Sequence, residues 1–121
     1  MISPAGTQER YRLHAEVCKV LTDPKRLMLL DALRAGDRSV GELAAVVGVA
    51  LPNASQHLAV LRGAGLVEGR RSGTTVRYRL AEPAIVEACD IIHAIVDRRL
   101  DGRSRAPRAR ATAVTPVATP R

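Results

Sequence analysis

Two short helices separated by a glycine constrain the fold more than any other feature of the chain. The first helix follows Ser39, and Glu42 stands three residues later, at the spacing of a capping box that closes a helix start. Gly48 interrupts the helical pattern, and Pro52 then suits the first turn of a second helix that Gly65 ends. Helices joined by a short glycine-containing turn are typical of a helix-turn-helix, whose second helix can enter the major groove of DNA.

A basic hairpin is predicted directly after this helix pair. Two strand-like runs, Leu66 to Arg71 and Thr75 to Leu80, flank the tight-turn signal Ser72-Gly73-Thr74. In the second run apolar residues alternate with Arg77 and Arg79, so one face is apolar and the other is cationic. An ordinary basic hairpin on a small α+β domain would explain this segment alone. The ordered series of capped helix, glycine turn, polar helix and basic hairpin favours a wing that lies along DNA phosphates.

These segments resemble the ArsR/SmtB family of dimeric winged-helix repressors between about Glu9 and Leu100. The S-Q-H-L-x-x-L-R-x-x-G-L-V run from Ser55 to Val67 is specific for that family's recognition helix. The other matching segments are Thr22 to Leu27, Ser39 to Ala44, Arg71 to Gly73 and Tyr78 to Leu80. The resemblance implies a mainly α fold with a small β-hairpin (α+β), about five helices and a two-stranded wing. It also implies a homodimer formed through the first and last helices and binding to double-stranded operator DNA.

Helical patterns outside this region complete the predicted domain. One helix is expected from Glu9 to Leu21, another from Lys25 to Arg34, and a long last helix begins after Glu82-Pro83, reaches Leu100 and ends at Gly102. The last helix carries an apolar seam that we interpret as a dimer contact, the alternative being packing within its own domain. The seam consists of Ile85, Cys89, Ile92 and Val96. We therefore predict a flexible start over residues 1–8, a domain over 9–101 and a disordered basic tail over 102–121.

Charge is distributed unevenly along the 121 residues, whose net charge is +7. Residues 62–79 carry five arginines against Glu68 alone, and residues 102–121 carry five arginines and no acid, whereas residues 80–101 are acidic. Positive charge therefore coincides with the wing, where phosphate contacts need it. The basic tail either adds nonspecific attraction to DNA or solubilises the protein.

Several classes of protein are disfavoured. No apolar run approaches the length of a membrane span, and the start lacks the apolar core of a signal peptide, so we expect a cytoplasmic protein without membrane contact. The two cysteines are then expected to be thiols and not a structural disulfide. The chain has no paired carboxylates, nucleophile–base set or phosphate loop, so we do not expect an enzyme.

The polar start of the second helix is the predicted base-reading surface. Asn53 and Gln56 share a face and can pair with adenine edges, while Pro52 fixes the helix start. Ser55 suits either a phosphate contact or a cap, and His57 either DNA contact or helix packing. Phosphate contacts are assigned to residues around this helix and on the wing, namely Arg62, Arg70, Arg71, Thr74 and Arg77. Where the family usually has a hydroxyl cap followed by a polar residue, this chain has Ala50 and Leu51.

The sensing function is the least determined. Positions that hold metal-binding cysteines in one branch of the resembled family, or Asp and His in another, are occupied here by Ala44, Val46, Glu82, Ala84, Ile95 and Arg98. Two other pairs remain, each four residues apart on a helix: His14 with Cys18 and Cys89 with His93. If the dimer joins them, they could bind Zn²⁺, Co²⁺ or Ni²⁺. The alternatives are a redox pair of Cys18 with Cys89, or no ligand at all.

The predicted function is sequence-specific transcriptional regulation, as a repressor that responds to a metal ion or to a thiol-redox signal. Two alternatives stay open: a winged-helix protein-interaction module, and a regulator without a small-molecule effector.

Overall fold

A computed structural model describes residues 4–105 of the chain, with side-chain exposure given for residues 6–103. Five helices and three short strands follow one another in this range. In chain order they are α1 (Pro4–Val20), α2 (Pro24–Ala32), β1 (Arg38–Ser39), α3 (Val40–Val47), α4 (Leu51–Gly63), β2 (Val67–Ser72), β3 (Thr75–Leu80) and α5 (Ala84–Arg105). The chain divides into two compact units, the first ending at Val86 and the second comprising the rest of α5 within the described range.

Several predicted boundaries were wrong. Helix α1 begins at Pro4 and not at Glu9, because a proline is well accommodated in a first helical turn, where its missing N–H has no partner to lose. Helix α2 spans Pro24–Ala32 instead of Lys25–Arg34. Helix α5 passes through Gly102 to Arg105, since one glycine costs a helix only about 1 kcal/mol. The predicted disordered tail from residue 106 onward, like residues 1–3, lies outside the described residues.

The core of the first unit is aliphatic and centres on α2, α3 and α4. Leu29 and Leu30 on α2, Leu43 on α3, and Leu58 and Leu61 on α4 are almost completely buried. Burying one leucine side chain contributes about 1.5–3 kcal/mol, so this cluster accounts for much of the stability of the unit. Ala54, Leu58 and Leu61 lie three or four residues apart, which fixes one face of α4 against the core and leaves the other face exposed.

The turn between α3 and α4 forms as the sequence predicts. The Ser39 side chain accepts a hydrogen bond from the Glu42 amide (3.1 Å), and the Glu42 carboxylate accepts one from the Ser39 amide (2.9 Å). Gly48 ends α3 with φ 77°, a left-handed conformation that glycine adopts without a steric penalty. Its amide donates to the Ala44 carbonyl oxygen at 2.9 Å. The capping box and the glycine turn are therefore confirmed.

The wing is the main part of a three-stranded antiparallel sheet in the order β1-β3-β2. Strands β2 and β3 form the predicted hairpin, and Gly73 has φ 64° at its turn. The two-stranded prediction missed β1, whose two residues pair with Tyr78 and Arg77 of β3. The Tyr78 ring covers Gly69 on the opposite strand so closely that an added Cβ would lie 3.0 Å from its Cε1 atom. Because Gly69 has no side chain, the Tyr78 ring has room to pack against the sheet at this position.

Among the described residues, no single helix is both long and apolar enough to cross a membrane. The one pair of helices that passes such a test together, α3 with α4, is bent by 106° at its break.

Two capping carboxylates stabilise the first unit in their charged form. Desolvation raises the pKa of Asp23, but amide hydrogen bonds from Lys25 and Arg26 and the charges of His57 and Arg26 outweigh it, so this pKa is lowered. The Ser39 amide is the main cause that lowers the pKa of Glu42, and Arg77 adds to it. A lowered folded-state pKa means that each carboxylate stabilises the fold above its unfolded-state pKa. That stabilisation is lost as the pH falls through the folded-state value.

We therefore expect the melting temperature to fall as the pH is lowered from about 6 to about 3, across the range where ordinary carboxylates titrate. In Glu42→Gln the part of this dependence that belongs to the α3 cap should disappear, because an amide does not titrate. Thermal melts followed by circular dichroism at each pH measure the effect. An unchanged acid dependence in Glu42→Gln would contradict the assignment.

Candidate nucleic-acid interface

The outward face of α4 presents the polar residues that the sequence assigns to base reading. Asn53, Ser55 and Gln56 are exposed, as is Pro52 in the first turn, whereas Ala54 between them is fully buried. Because the buried face fixes the helix against the core, the amide side chains of Asn53 and Gln56 lie on the solvent side of α4, where the prediction of base reading requires them. The first turns of α4 therefore have the composition and exposure that groove reading requires.

The start of α4 has the weak cap that the sequence indicates. Ala50 occupies the N-cap position with extended backbone, and no side chain accepts a hydrogen bond there. Leu51, the first residue of the helix, is 52% exposed. Pro52 has no N–H and the Asn53 amide donates to the Ala50 carbonyl oxygen at 3.0 Å, so the first turn offers few amides to a side-chain cap.

A hydroxyl at this position should restore the cap. We expect Ala50→Ser to raise the free energy of unfolding by up to about 1 kcal/mol, because its Oγ can accept a hydrogen bond from the Asn53 amide, whereas Pro52 has no N–H to donate. Urea denaturation of the variant beside the parent measures the gain. Ala50→Val, which offers no oxygen acceptor and is as poor an N-cap as alanine, is the control, and an equal gain in both variants would contradict the capping explanation.

His57 lies at the edge of the exposed face, half-buried, and its position favours the packing role over free exposure to DNA. Its Nδ1 atom is 3.4 Å from Nη1 of Arg26 on α2. Sequence reasoning did not assign Arg26 to the site, although it belongs to the Thr22–Leu27 segment of the family resemblance. No local pattern signals this contact, since the two residues are 31 positions apart.

The basic residues around the wing fall into two groups. Arg62 on α4 and Arg70 and Arg71 on β2 are exposed, and within residues 4–105 none of their side chains is held by an acid. Thr74 is exposed at the hairpin turn. These four residues are accessible to phosphate from the solvent side.

Arg77 and Arg79 are instead engaged within the fold. Arg77 is half-buried; its Nη2 donates to the Asp37 carbonyl oxygen at 3.1 Å, and its guanidinium lies 3.7 Å from the Asp37 carboxylate and 3.8 Å from that of Glu42. Arg79 pairs with Glu68 at 2.9 Å. Arg77 thus ties the wing to the start of α3, and both arginines of β3 face carboxylates of neighbouring segments. Its predicted phosphate contact stays a prediction.

The residues predicted to sense a metal ion or a redox signal lie on α1 and α5. His14 and Cys18 are exposed on α1, where the His14 ring stacks on Tyr11 with centroids 6.5 Å apart. Cys89 is buried and His93 exposed on α5, and no disulfide joins the two cysteines within the described residues. In the part of the chain that the structure describes, no group of three or more His, Cys, Asp or Glu side chains could hold a metal ion. The predicted four-residue set draws on two chains, and it stays a prediction.

Known proteins share both this sequence pattern and this fold. The model of the family "Bacterial regulatory protein, arsR family" matches residues 23–69. Rv0081 of Mycobacterium tuberculosis, an uncharacterized HTH-type transcriptional regulator, is 43% identical over 94 residues, which cover 77% of this chain and 82% of the relative. The biofilm growth-associated repressor of Agrobacterium fabrum is 43% identical over 81 residues, covering 67% of this chain and 69% of the repressor.

Solved structures agree with these relationships. The crystal structure of Rv0081 matches with a TM-score of 0.68 and 42% identity, covering 78% of this chain and 95% of that one. The solution structure of Mb0332 from Mycobacterium bovis, a homodimeric winged helix-turn-helix DNA-binding domain, matches with a TM-score of 0.70 and 34% identity, covering 78% and 88%. The relatives are transcriptional regulators, and the prediction that this chain is not an enzyme is thereby confirmed. The chain belongs to the arsR family of bacterial regulatory proteins, and it is a transcriptional regulator with a winged helix-turn-helix DNA-binding fold.

Proposed function

We propose that the protein binds double-stranded operator DNA sequence-specifically as a homodimer and represses transcription. The observation that carries this proposal is the division of α4 into two faces. Leu58 and Leu61 anchor one face in the core, while Asn53 and Gln56 stand exposed at the start of the other. A helix held in this way can present hydrogen-bonding groups to base edges without rearranging the fold.

Three exposed arginines without an acidic partner among the described residues support phosphate binding, which positions the protein on the DNA backbone. Arg62, Arg70 and Arg71 are exposed and lie after the reading residues in the chain, on the end of α4 and on the wing. Contacts from such cations to phosphates fix the register of a protein on the duplex but carry no sequence information. The proposed roles are therefore base reading by Asn53 and Gln56, and phosphate binding by the three arginines.

The exposed apolar surface of α5 supports a homodimer. Five large aliphatic residues of this helix are between 41% and 69% exposed: Ile91, Ile92, Ile95, Val96 and Leu100. Soluble monomers seldom leave such a row open to water, and burying it against a second copy would stabilise a small aliphatic domain. The two copies of α4, one from each protomer and related by twofold symmetry, would then bind a pseudo-palindromic operator. The homodimeric relative Mb0332 is consistent with this proposal.

Fluorescence anisotropy across a salt series tests the proposal. The probes are duplexes that the protein selects from a random-sequence library, together with unrelated duplexes of equal length. We expect a steep salt dependence, and binding to selected duplex that survives excess unrelated competitor. A protein with no affinity for any duplex at low salt would instead be a winged-helix protein-interaction module, and the proposal would be wrong.

Arginines with and without an acidic partner should differ in the salt dependence of binding. Arg70→Ala and Arg71→Ala should each reduce the slope of log K against log salt by about 0.9 per lost contact, or about 1.8 for a dimer. Arg12→Ala changes the net charge equally but removes a guanidinium that Glu9 and Glu16 already neutralise on α1, and it should leave the slope unchanged. Equal reductions in all three variants would show that total charge, and not the wing, sets the slope.

A response to a metal ion or to thiol oxidation is part of this proposal. In support, His14 and Cys18 are exposed one turn apart on α1, and Cys89 and His93 are one turn apart on α5. Thiolate and imidazole ligands suit Zn²⁺, Co²⁺ or Ni²⁺. A disulfide between Cys18 and Cys89 would instead pass two electrons and two protons to an oxidant such as diamide.

Titration of the reduced, DNA-bound protein with each metal ion, and separately with diamide, distinguishes these responses. A metal site is supported if a metal ion releases the selected duplex and if Cys18→Ser and His93→Ala each abolish this release. A redox pair is supported if diamide releases the duplex, dithiothreitol reverses the release and Cys89→Ser abolishes it. Duplex binding that neither treatment changes would identify a regulator without these effectors.

A further inference from the structure

Two basic residues at the start of α2 contact the ends of α1 and α3, and one of them also contacts α4. Arg26 donates from Nε to the carbonyl oxygen of Val20, the last residue of α1, at 2.6 Å. Lys25 donates from Nζ to the carbonyl oxygen of Val47, the last residue of α3, at 3.4 Å. Carbonyl groups at helix ends lack partners within the helix and carry partial negative charge, so cationic donors stabilise them. Arg26 has a second function, because its Nη1 lies against His57 of α4.

A hydrogen bond at this contact requires one particular ring nitrogen of His57 to carry the hydrogen. A guanidinium has only donors and is charged at every accessible pH, so the nitrogen that pairs with Arg26 must be the acceptor. Nδ1 is that atom, at 3.4 Å from Nη1. A neutral His57 ring paired in this way therefore carries its hydrogen on Nε2. The Asp23 carboxylate accepts the amides of Lys25 and Arg26 through its Oδ1 atom, at 2.7 and 3.4 Å, and its charge acts on Arg26 and on a protonated His57 ring.

The other anchorage of α4 among the described residues is apolar, and it fixes which face of the helix meets the core. Ala54, Leu58 and Leu61 hold the helix through burial, which has no directional preference. A hydrogen bond, in contrast, weakens steeply when its angle departs from linearity. His57 follows Gln56 directly and stands one turn after Asn53. A directional contact at His57 therefore restricts rotation about the helix axis at the point where the two amides must meet base edges.

We propose that Arg26 is a positioning residue for DNA reading, which holds His57 as the Nε2–H tautomer and links the orientation of α4 to the carbonyl end of α1. This inference rests on the proposed function, since it assigns to Arg26 a part in the specificity of the same site. Arg26 itself touches no base. Its loss acts through His57 on the geometry of Asn53 and Gln56.

Nuclear magnetic resonance of the full chain tests the tautomer without any assumption about DNA. The chain has three histidines, so long-range ¹H–¹⁵N correlations of the ¹⁵N-histidine-labelled protein can be assigned with His57→Gln. At about pH 8, above the ordinary histidine range, the His57 ring of the parent should show Nε2 protonated and Nδ1 bare. In Arg26→Met it should become a mixture of tautomers, while the signals of His14 and His93 stay unchanged. A parent ring protonated on Nδ1 would overturn the proposal directly, with no variant needed.

DNA binding tests the consequence. On duplex selected by the parent, Arg26→Met and His57→Ala should each lower affinity about tenfold, the value of one charge-assisted hydrogen bond. The double variant should be no worse than either single variant, because both remove the same interaction. Additive losses would overturn the proposal. If the parent distinguishes no duplex, the proposed function fails, whereas the tautomer measurement still decides the contact.

A matched arginine separates positioning from stability. Arg38 donates from Nε to the carbonyl oxygen of Ala32, the last residue of α2, at 2.8 Å, which is the same kind of helix-end bond. Arg38→Met should lower the melting temperature much as Arg26→Met does, but it should leave the His57 tautomer and the preference for selected duplex unchanged. Equal losses of preference in both variants would show that Arg26 acts only through stability.

Discussion

Replacing Asn53 and Gln56 together with alanine should remove the sequence preference of the protein and leave its fold intact. A well-formed amide pair with an adenine edge discriminates against the wrong base by about 1–3 kcal/mol. Loss of both pairs should therefore lower the ratio of selected to unrelated duplex affinity by about 2–6 kcal/mol, or roughly 30-fold to 20,000-fold, for each half-site that the dimer reads. Both side chains are exposed, so the free energy of unfolding should change by less than about 0.5 kcal/mol.

Competition anisotropy with selected and unrelated duplexes measures this ratio. Gln8→Ala is a matched control, because Gln8 is also an exposed glutamine on a helix, α1, that is not assigned to DNA. It should leave the ratio unchanged. Binding to unrelated duplex at low salt should persist in the double variant, since the arginines that supply it are intact. A double variant that still prefers the selected duplex would show that other groups read the operator.

Helices α3 and α4 and the turn between them could be predicted, because the interactions that form them are local in the sequence. The Ser39–Glu42 capping box spans three residues, and the left-handed Gly48 acts on its own turn. The spacing of Ala54, Leu58 and Leu61 is likewise a property of one helix, so the buried and exposed faces of α4 follow from the sequence. Local patterns of this kind predict the type of each element and which side of it is buried, without knowledge of the rest of the fold.

Interactions between distant positions could not be predicted in this way. Arg77 lies 40 positions from Asp37, and the sequence alone made Arg77 another solvent-facing cation of the wing. Strand β1 has two residues, too few for any alternation to appear, and it exists only because β3 offers it an edge. The contact of Arg26 with His57 has the same character. These contacts depend on how the first unit assembles, which no window of the sequence contains.

The buried face of α4 should respond to mutation in the opposite way to the exposed face. Leu58 is completely inaccessible to solvent and belongs to the same core cluster as Leu29 and Leu30 of α2 and Leu43 of α3. Leu58→Ala should lower the free energy of unfolding by about 2–5 kcal/mol, since it removes buried methyl groups and leaves a cavity. Small domains are stable by only about 5–15 kcal/mol, so this one change removes a large share. For a domain of this size the melting temperature should fall by about 10–30 °C.

Comparison with an exposed residue of the same helix shows whether burial is the cause. Val60 is 41% exposed, and Val60→Ala should cost much less than Leu58→Ala in urea denaturation at matched protein concentration. At a temperature where Leu58→Ala is still folded, its preference for selected duplex should equal that of the parent, because Asn53 and Gln56 are retained. A folded Leu58→Ala protein that has lost this preference would mean that core packing, and not the exposed amides alone, determines which bases the helix reads.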